Sequence, residues 1–307
     1  MNKDIFIEKK DIYKLLNKLF ENEIMDLEPI NKGNIKSVYS FKYDNMEYIL
    51  NFANTKVDNE GEQFLTDLLT ENNIVTKRLI KSGFSNKYFY SIYNKISGDT
   101  LNYLTPYELN RVIPEVIENI TKIHLVDLNN TEGFGWINKD GNGEYLSWQD
   151  FLEGFFSKEQ TGYWKNWYDL FDKSFLDRET FVVLYKEMIN LSKYCEGARS
   201  LVHGDFHLGN IIGNENKITG IIDWDNRMYG DFIYDIASLQ MQIPEYKIVP
   251  MFKEYYQKNN VEVSYFDERF KCASLCRGLD SLRFFSKHGK KESYDSVLSY
   301  LKELVLL

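Results

Sequence analysis

Three residues in the second half of the chain have the types and spacing for metal-assisted phosphoryl transfer. Asp205 and Asn210 lie in Leu201-Val202-His203-Gly204-Asp205-Phe206-His207-Leu208-Gly209-Asn210, and Asp223 follows in Ile221-Ile222-Asp223-Trp224-Asp225. Ile211-Ile212 and residues 218–222 read as two short strands joined by a polar turn over 213–217. Such a hairpin brings Asn210 and Asp223 together, with Asp205 on the loop before it. Transfer of a phosphoryl group to a hydroxyl needs one carboxylate that accepts the proton of the attacking hydroxyl or orients it. It also needs a second carboxylate and an amide oxygen to hold Mg²⁺ against a triphosphate, because hard cations prefer oxygen ligands. In that chemistry Asp205 is the base, and Asn210 and Asp223 are the metal ligands. Each alone is an ordinary turn residue beside a hairpin. All three in register between apolar strands point to chemistry.

Other reactive side chains fit less well. His203 and His207 are two of four histidines. With one carboxylate between them and no third nitrogen ligand, zinc is disfavoured. Cys195, Cys272 and Cys276 are odd in number and loosely spaced, which argues against a disulfide framework and for a reducing compartment. Cys272 and Cys276 share a helix face, where packing is the expected role.

The elements that position these residues are readable in outline. Ile12, Leu15, Leu16, Leu19 and Phe20 recur at helical spacing. Residues 38–43, a turn at Asp44-Asn45 and residues 47–52 read as a β-hairpin. A helix over 60–69 and strands near 78–80 and 88–92 complete a small sheet lobe, with Ser97-Gly98-Asp99 marking its end. Beyond it the pattern is helical over 107–125, 148–156, 181–194, 236–241, 246–257, 268–285 and 293–306, with β-type runs expected only over 201–224. The expected fold class is α+β, two-lobed, divided as 1–97 and 98–307.

The totals agree with a folded enzyme. The chain has 307 residues, net charge -9, 43% apolar and 16% aromatic residues, enough for a substantial core. Its acidity disfavours nucleic acid as a partner. Residues 1–20 lack the apolar stretch of a signal peptide, and no run of about 18 apolar residues occurs, so a cytoplasmic protein without membrane association is expected.

The spacing Asp-x-x-x-x-Asn followed by a strand and a further Asp matches the catalytic and metal-binding loops of protein kinases. More closely, His203-Gly204-Asp205-x-His207-x-Gly209-Asn210, Ile222-Asp223-Trp224, Gly230-Asp231 and Asp235-Ile236-Ala237 resemble the aminoglycoside phosphotransferase and choline kinase group. Gly133-Phe134-Gly135, Ser147-Trp148-Gln149-Asp150-Phe151, Met228-Tyr229-Gly230-Asp231 and Gly278-Leu279-Asp280 resemble its hygromycin B phosphotransferases. The resemblance implies a protein-kinase-like fold, Mg²⁺, ATP or GTP as phosphate donor, and a cationic small-molecule acceptor. It implies that His203 is a structural loop residue near Asp235, and that Asp231 and Asp235 hold the loop and cap the helix at 236–241.

By the same resemblance, Gly33, Ser37 and Val38 belong to a phosphate-covering loop with Val38 over the purine. Tyr93, Asn94 and Ile96 then belong to the strand that meets the base edge. One part departs from the group: Asn51 stands where a phosphate-binding Lys is expected, and Lys36, Lys42 or Lys56 would have to substitute. Glu60 or Glu62 would be the partner of such a Lys. Acidic acceptor-site candidates are Asp150, Glu153, Glu159, Asp225, Glu268 and Asp280. Trp148, Trp164 and Trp167 are expected to pack in the core rather than stack on sugars. A metabolic kinase for a small alcohol, amino alcohol or sugar, and a nucleotide-binding pseudokinase, are the alternatives.

Overall fold

The computed structural model describes residues 7–21, 23–30, 37–54, 56 and 59–305. The N-terminal part holds α1 (Lys9–Leu19), α2 (Asn59–Glu71) and five strands: β1 (Met25–Ile30), β2 (Ser37–Tyr43), β3 (Met46–Ala53), β4 (Leu79–Ser85) and β5 (Tyr88–Asn94). They form one antiparallel sheet in the order β1-β2-β3-β5-β4. The β2–β3 hairpin turns where expected. Asp44 and Asn45 both take the left-handed conformation, φ 48° and 62°, which a two-residue hairpin matching the strand twist requires. That turn fixes the register, so Val38, Asn51 and Ser91 lie side by side across β2, β3 and β5. Phe41, Leu50, Phe52 and Ile92 are buried with Ile12 and Leu16 of α1, so the helix read from its apolar spacing covers one sheet face. β4 runs on to Ser85, well past the short strand expected near 78–80, and β1 was not expected. Ser82-Gly83 interrupts the apolar signal of β4, yet Gly83 packs directly on the Tyr90 ring.

The remaining elements are β6 (Asp99–Thr100), α3 (Pro106–His124), β7 (Phe134–Ile137), β8 (Gly143–Tyr145), α4 (Trp148–Phe155), α5 (Leu170–Lys173), α6 (Arg178–Ser192), β9 (Ser200–Val202), β10 (Ile211–Gly213), β11 (Ile218–Ile221), β12 (Met228–Gly230), α7 (Ile233–Gln242), α8 (Ile248–Lys258), α9 (Phe266–Lys287) and α10 (Lys291–Val305). The long helices fall where the apolar periodicity puts them, with ends shifted by a turn or less. Capping sharpens one start. Thr105 and Glu108 form a reciprocal capping box, with Pro106 in the first turn. The restriction of β structure to 201–224 is corrected, because β7 and β8 join β12 and β9 in a four-stranded sheet ordered β8-β7-β12-β9. Strands of three or four residues are too short to show an alternation.

Two cores result. The sheet lobe has its own, while Leu65, Leu69 and Ile74, from α2 and just after it, are buried in the large core of the helical part. The junction is docked rather than loose. β6 pairs with β10, and Thr219 Oγ1 donates to the Ser97 carbonyl at 2.5 Å.

Candidate active site

The loop between β9 and β10 is built on backbone bonds to buried side chains. Asp235, fully buried in α7, accepts from the His203 amide at 2.7 Å and the Gly204 amide at 3.0 Å. His203 is also fully buried; its Nδ1 accepts from the Asp205 amide at 3.3 Å, so Nε2 carries the proton and donates to the Ile222 carbonyl at 2.9 Å. Burial pushes the His203 pKa down against the pull of the Asp235 charge, so the ring is neutral and bridges the two halves of the loop. Gly204, at φ +82°, sits where a Cβ would lie 2.0 Å from the Asn226 carbonyl, and only glycine fits.

Asp235 therefore holds the loop, but as a first-turn residue of α7, which begins at Ile233 instead of Ile236. The cap reading for this pair is revised accordingly. Asp231, not Asp235, accepts from an N-terminal amide of that helix, Ile233 N at 3.0 Å. Asp231 also accepts from Nε and Nη2 of Arg269, each at 2.8 Å, a buried fork-to-fork pair.

These supports bring the three predicted residues onto one short stretch of structure. Asn210 Nδ2 donates to the Asp205 carbonyl at 2.9 Å, and the Ile222 amide donates to the Asn210 carbonyl at 2.9 Å. The Asn210 amide is thereby oriented, its nitrogen occupied and its oxygen the atom left for a cation. Asp223, next after Ile222, is exposed and left-handed at φ 66°. One amide oxygen and one exposed carboxylate form an all-oxygen donor set, which suits Mg²⁺ completing its shell with phosphate oxygens and water.

The Asp205 carboxylate is shared between two bases. Arg277 Nη2 donates to Oδ1 at 3.3 Å, and His207 Nε2 stands 3.6 Å from Oδ2. Partial burial would raise its pKa, but the His207 imidazole and the Arg277 charge outweigh that and lower it to about 2. For Arg277, burial opposes the charged form, while the Tyr234 oxygen and the Asp205 and Asp280 carboxylates more than offset it and raise its pKa. His207 accepts from the Gly209 amide at 3.0 Å, and Gln242 Oε1 accepts from the Leu208 amide at 2.8 Å, tying the loop's second half to α7. Beside this loop lies a cavity of about 300 Å³ lined by His207, Ser238, Gln242 and Arg277, with apolar walls from Met241 and Phe285.

The nucleotide-side residues are placed less completely. Gly33 and Lys36 lie outside the described residues. Ser37 and Val38 open β2, and Asn51 faces Val38 in the ladder. The Asn51 Oδ1 atom is buried without a hydrogen-bond partner among the described residues. Lys42 is engaged by Asp26 at 2.8 Å, and Lys56 is exposed. Tyr93 is buried within β5, and the Asn94 amide donates to the Arg78 carbonyl at 3.3 Å. Ile96 lies beyond the strand, against Gly220 of β11. Glu60 is exposed and Glu62 half-buried.

Acceptor-side candidates disperse. None of the six acidic residues lines the cavity beside Asp205. Asp150 accepts from Ser147 at the start of α4, Glu153 accepts from Gln149, and Asp280 pairs with Arg283 at 2.7 Å. Glu159 and Asp225 are exposed and Glu268 half-buried. Trp148 and Trp167 are buried in the core, and Trp164 stacks under Arg283 with 4.2 Å between guanidinium and ring centre. Sequence reasoning missed Arg277, Tyr234 and Gln242. For Arg277 the one trace was its place beside Gly278-Leu279-Asp280.

A small antiparallel lobe above a helical lobe, with an Asp–Asn–Asp loop between short strands, defines a kinase-like phosphotransferase. The phosphotransferase enzyme family matches residues 26–260, and the chain belongs to it. A hygromycin-B 4-O-kinase of Escherichia coli is 26% identical over 277 residues, 88% of this chain and 77% of that protein. The crystal structure of the aminoglycoside phosphotransferase APH(4)-Ia superposes with a TM-score of 0.81 at 22% identity, covering 97% of this chain and 98% of that one. That of the spectinomycin phosphotransferase APH(9)-Ia, in complex with ADP and spectinomycin, gives 0.65 at 14% identity, covering 98% and 99%.

Proposed function

We propose that the protein transfers the γ-phosphate of ATP or GTP to a hydroxyl of an aminoglycoside of the hygromycin B kind, in the cytoplasm, and thereby confers resistance. Asp205 orients the acceptor hydroxyl and takes its proton. Asn210 and Asp223 hold Mg²⁺, which when bound neutralises the phosphate charge. Gly33, Ser37, Val38 and Asn51 bind the phosphates and base, and Tyr93, Asn94 and Ile96 form the edge that meets the base. Residues 1–97 supply the nucleotide side and 98–307 the loop and acceptor side. The observation that carries this reading is the pair of bonds running from the Asp205 carbonyl through Asn210 to Ile222 and so to Asp223. The relative named hygromycin-B 4-O-kinase and the ternary complex of an APH(4)-Ia mutant with AMP-PNP and hygromycin B support the acceptor class.

A second reading has its own observation. The cavity beside Asp205 has no carboxylate in its lining, which favours a small alcohol or amino alcohol with at most one charge over a polycation there. Mg²⁺-dependent release of ADP or GDP across hygromycin B, kanamycin, gentamicin and choline separates the two. Stimulation by one aminoglycoside supports the proposal. Stimulation by choline alone transfers the assignment to a metabolic kinase, and tight nucleotide binding with no stimulated turnover leaves either a pseudokinase with Asn51 as its defect or an acceptor outside the panel.

A further inference from the structure

Arg277 reaches the loop from α9, far away in sequence, and donates to Asp205 Oδ1 at 3.3 Å. The Arg277 side chain keeps 20% of its exposure and that of Asp205 31%, so both charges are largely withdrawn from water. Such a pair is weak evidence of stabilisation, since apolar packing of the same shape often does as well or better. The guanidinium is itself held in place. Nη1 donates to the Tyr234 hydroxyl at 3.5 Å, and the group lies 5.6 Å from the centre of that ring. One turn further along α9, Asp280 pairs with the fully buried Arg283, which is packed among the rings of Phe155, Phe156, Trp164 and Trp167. Charges thus alternate along α9 from the loop into an aromatic core. His207, the other neighbour of the carboxylate, lies two residues along on the same loop, with Nε2 3.6 Å from Oδ2.

We propose that Arg277 is a positioning residue for phosphoryl transfer, pinning Oδ1 of Asp205 so that the carboxylate keeps one orientation and Oδ2 is held ready for the acceptor hydroxyl. The inference rests on the reading of Asp205 given above. In a loose transition state, alignment of the hydroxyl matters more than the basicity of its partner. A misplacement of about 1 Å costs about 10²-fold in rate. A carboxylate free to rotate would lose that alignment.

The test compares the full-length wild type, Arg277→Met, Arg277→Lys, Asp205→Ala and the Asp205→Ala/Arg277→Met double variant. Two rates are read: Mg²⁺-dependent ADP release with hygromycin B, and slow Mg²⁺-ATP hydrolysis with water as acceptor. Arg277→Met is expected to lose about 10²-fold in kcat while KM for ATP is unchanged. Arg277→Lys recovers part of the loss, since it keeps the charge without the fork. The double variant is no slower than Asp205→Ala, because a residue acting through Asp205 has nothing left to position. Wild-type kcat in Arg277→Met, or a further loss on top of Asp205→Ala, overturns the proposal. If Arg277→Met does not fold, Arg277→Lys decides: lower kcat at unchanged KM supports positioning, and wild-type kcat overturns it. A fully active Asp205→Ala protein instead overturns the reading of Asp205, and the inference falls with it.

Discussion

Asn51 carries the sharpest local question. It sits in register with Val38 and Ser91 on the central strand of the sheet lobe, and its buried Oδ1 has no hydrogen-bond partner among the described residues. A lysine there would bring a charge-assisted bond to phosphate oxygens in place of a neutral one. Asn51→Lys is expected to tighten ATP binding by about 1 kcal/mol, roughly five-fold, as read by equilibrium titration. Unchanged or weaker binding would mean that phosphate is held from another direction. Asp223 gives the complementary case. Asp223→Ala should abolish the Mg²⁺ dependence of nucleotide binding without unfolding the protein, because its side chain is exposed. Persistence of that dependence in the same titration would remove Asp223 from the ligand set.

The loop from β9 to β10 behaves as an element in its own right, fixed by His203, Asp235 and the tight turn at Gly204. Gly204→Ala must move either the Asn226 carbonyl, 2.0 Å from the new Cβ, or the backbone at φ +82°. Left-handed strain alone costs about 1–2 kcal/mol, so a fall in the urea midpoint and loss of transfer should occur together. Retention of both would show that the loop has slack. This site was legible in the sequence because Asp205 and Asn210 precede, and Asp223 follows, one local hairpin whose apolar strands announce themselves. The helices were legible from periodicity. The sheet ordered β8-β7-β12-β9 was not, since its strands are too short to alternate visibly. Its signature survives as single residues, such as Gly230, whose missing side chain lets the Trp148 ring pack at 2.2 Å from an ideal Cβ.

Across the molecule, long-range charge pairs hold the helical part to the loop, and pattern reading does not reach them. Arg277 meets Asp205 across 72 residues and Arg269 meets Asp231 across 38; nothing in local periodicity encodes either partner. The second pair is nearly sealed, with side-chain exposures of 8% for Arg269 and 1% for Asp231. Arg269→Met would leave the Asp231 carboxylate buried without its countercharge and should destabilise by about 3–5 kcal/mol. Asp231→Asn in the same chain should restore part of that loss. Chemical denaturation reads both, and a stability change below about 1 kcal/mol for Arg269→Met would show that water reaches the pair. The two cores make the sheet lobe and the helical part separately packed bodies, joined where β6 pairs with β10 and where Leu65 and Leu69 of α2 enter the larger core.

Transfer of label from γ-³²P-ATP to hygromycin B in the presence of Mg²⁺, with wild type and Asp205→Ala side by side, reads phosphoryl transfer and the role of Asp205 in one assay. One labelled drug product is expected with the wild type and essentially none with Asp205→Ala, while both proteins bind nucleotide alike. Label that appears only as inorganic phosphate, or a labelled drug product formed equally by Asp205→Ala, would contradict it.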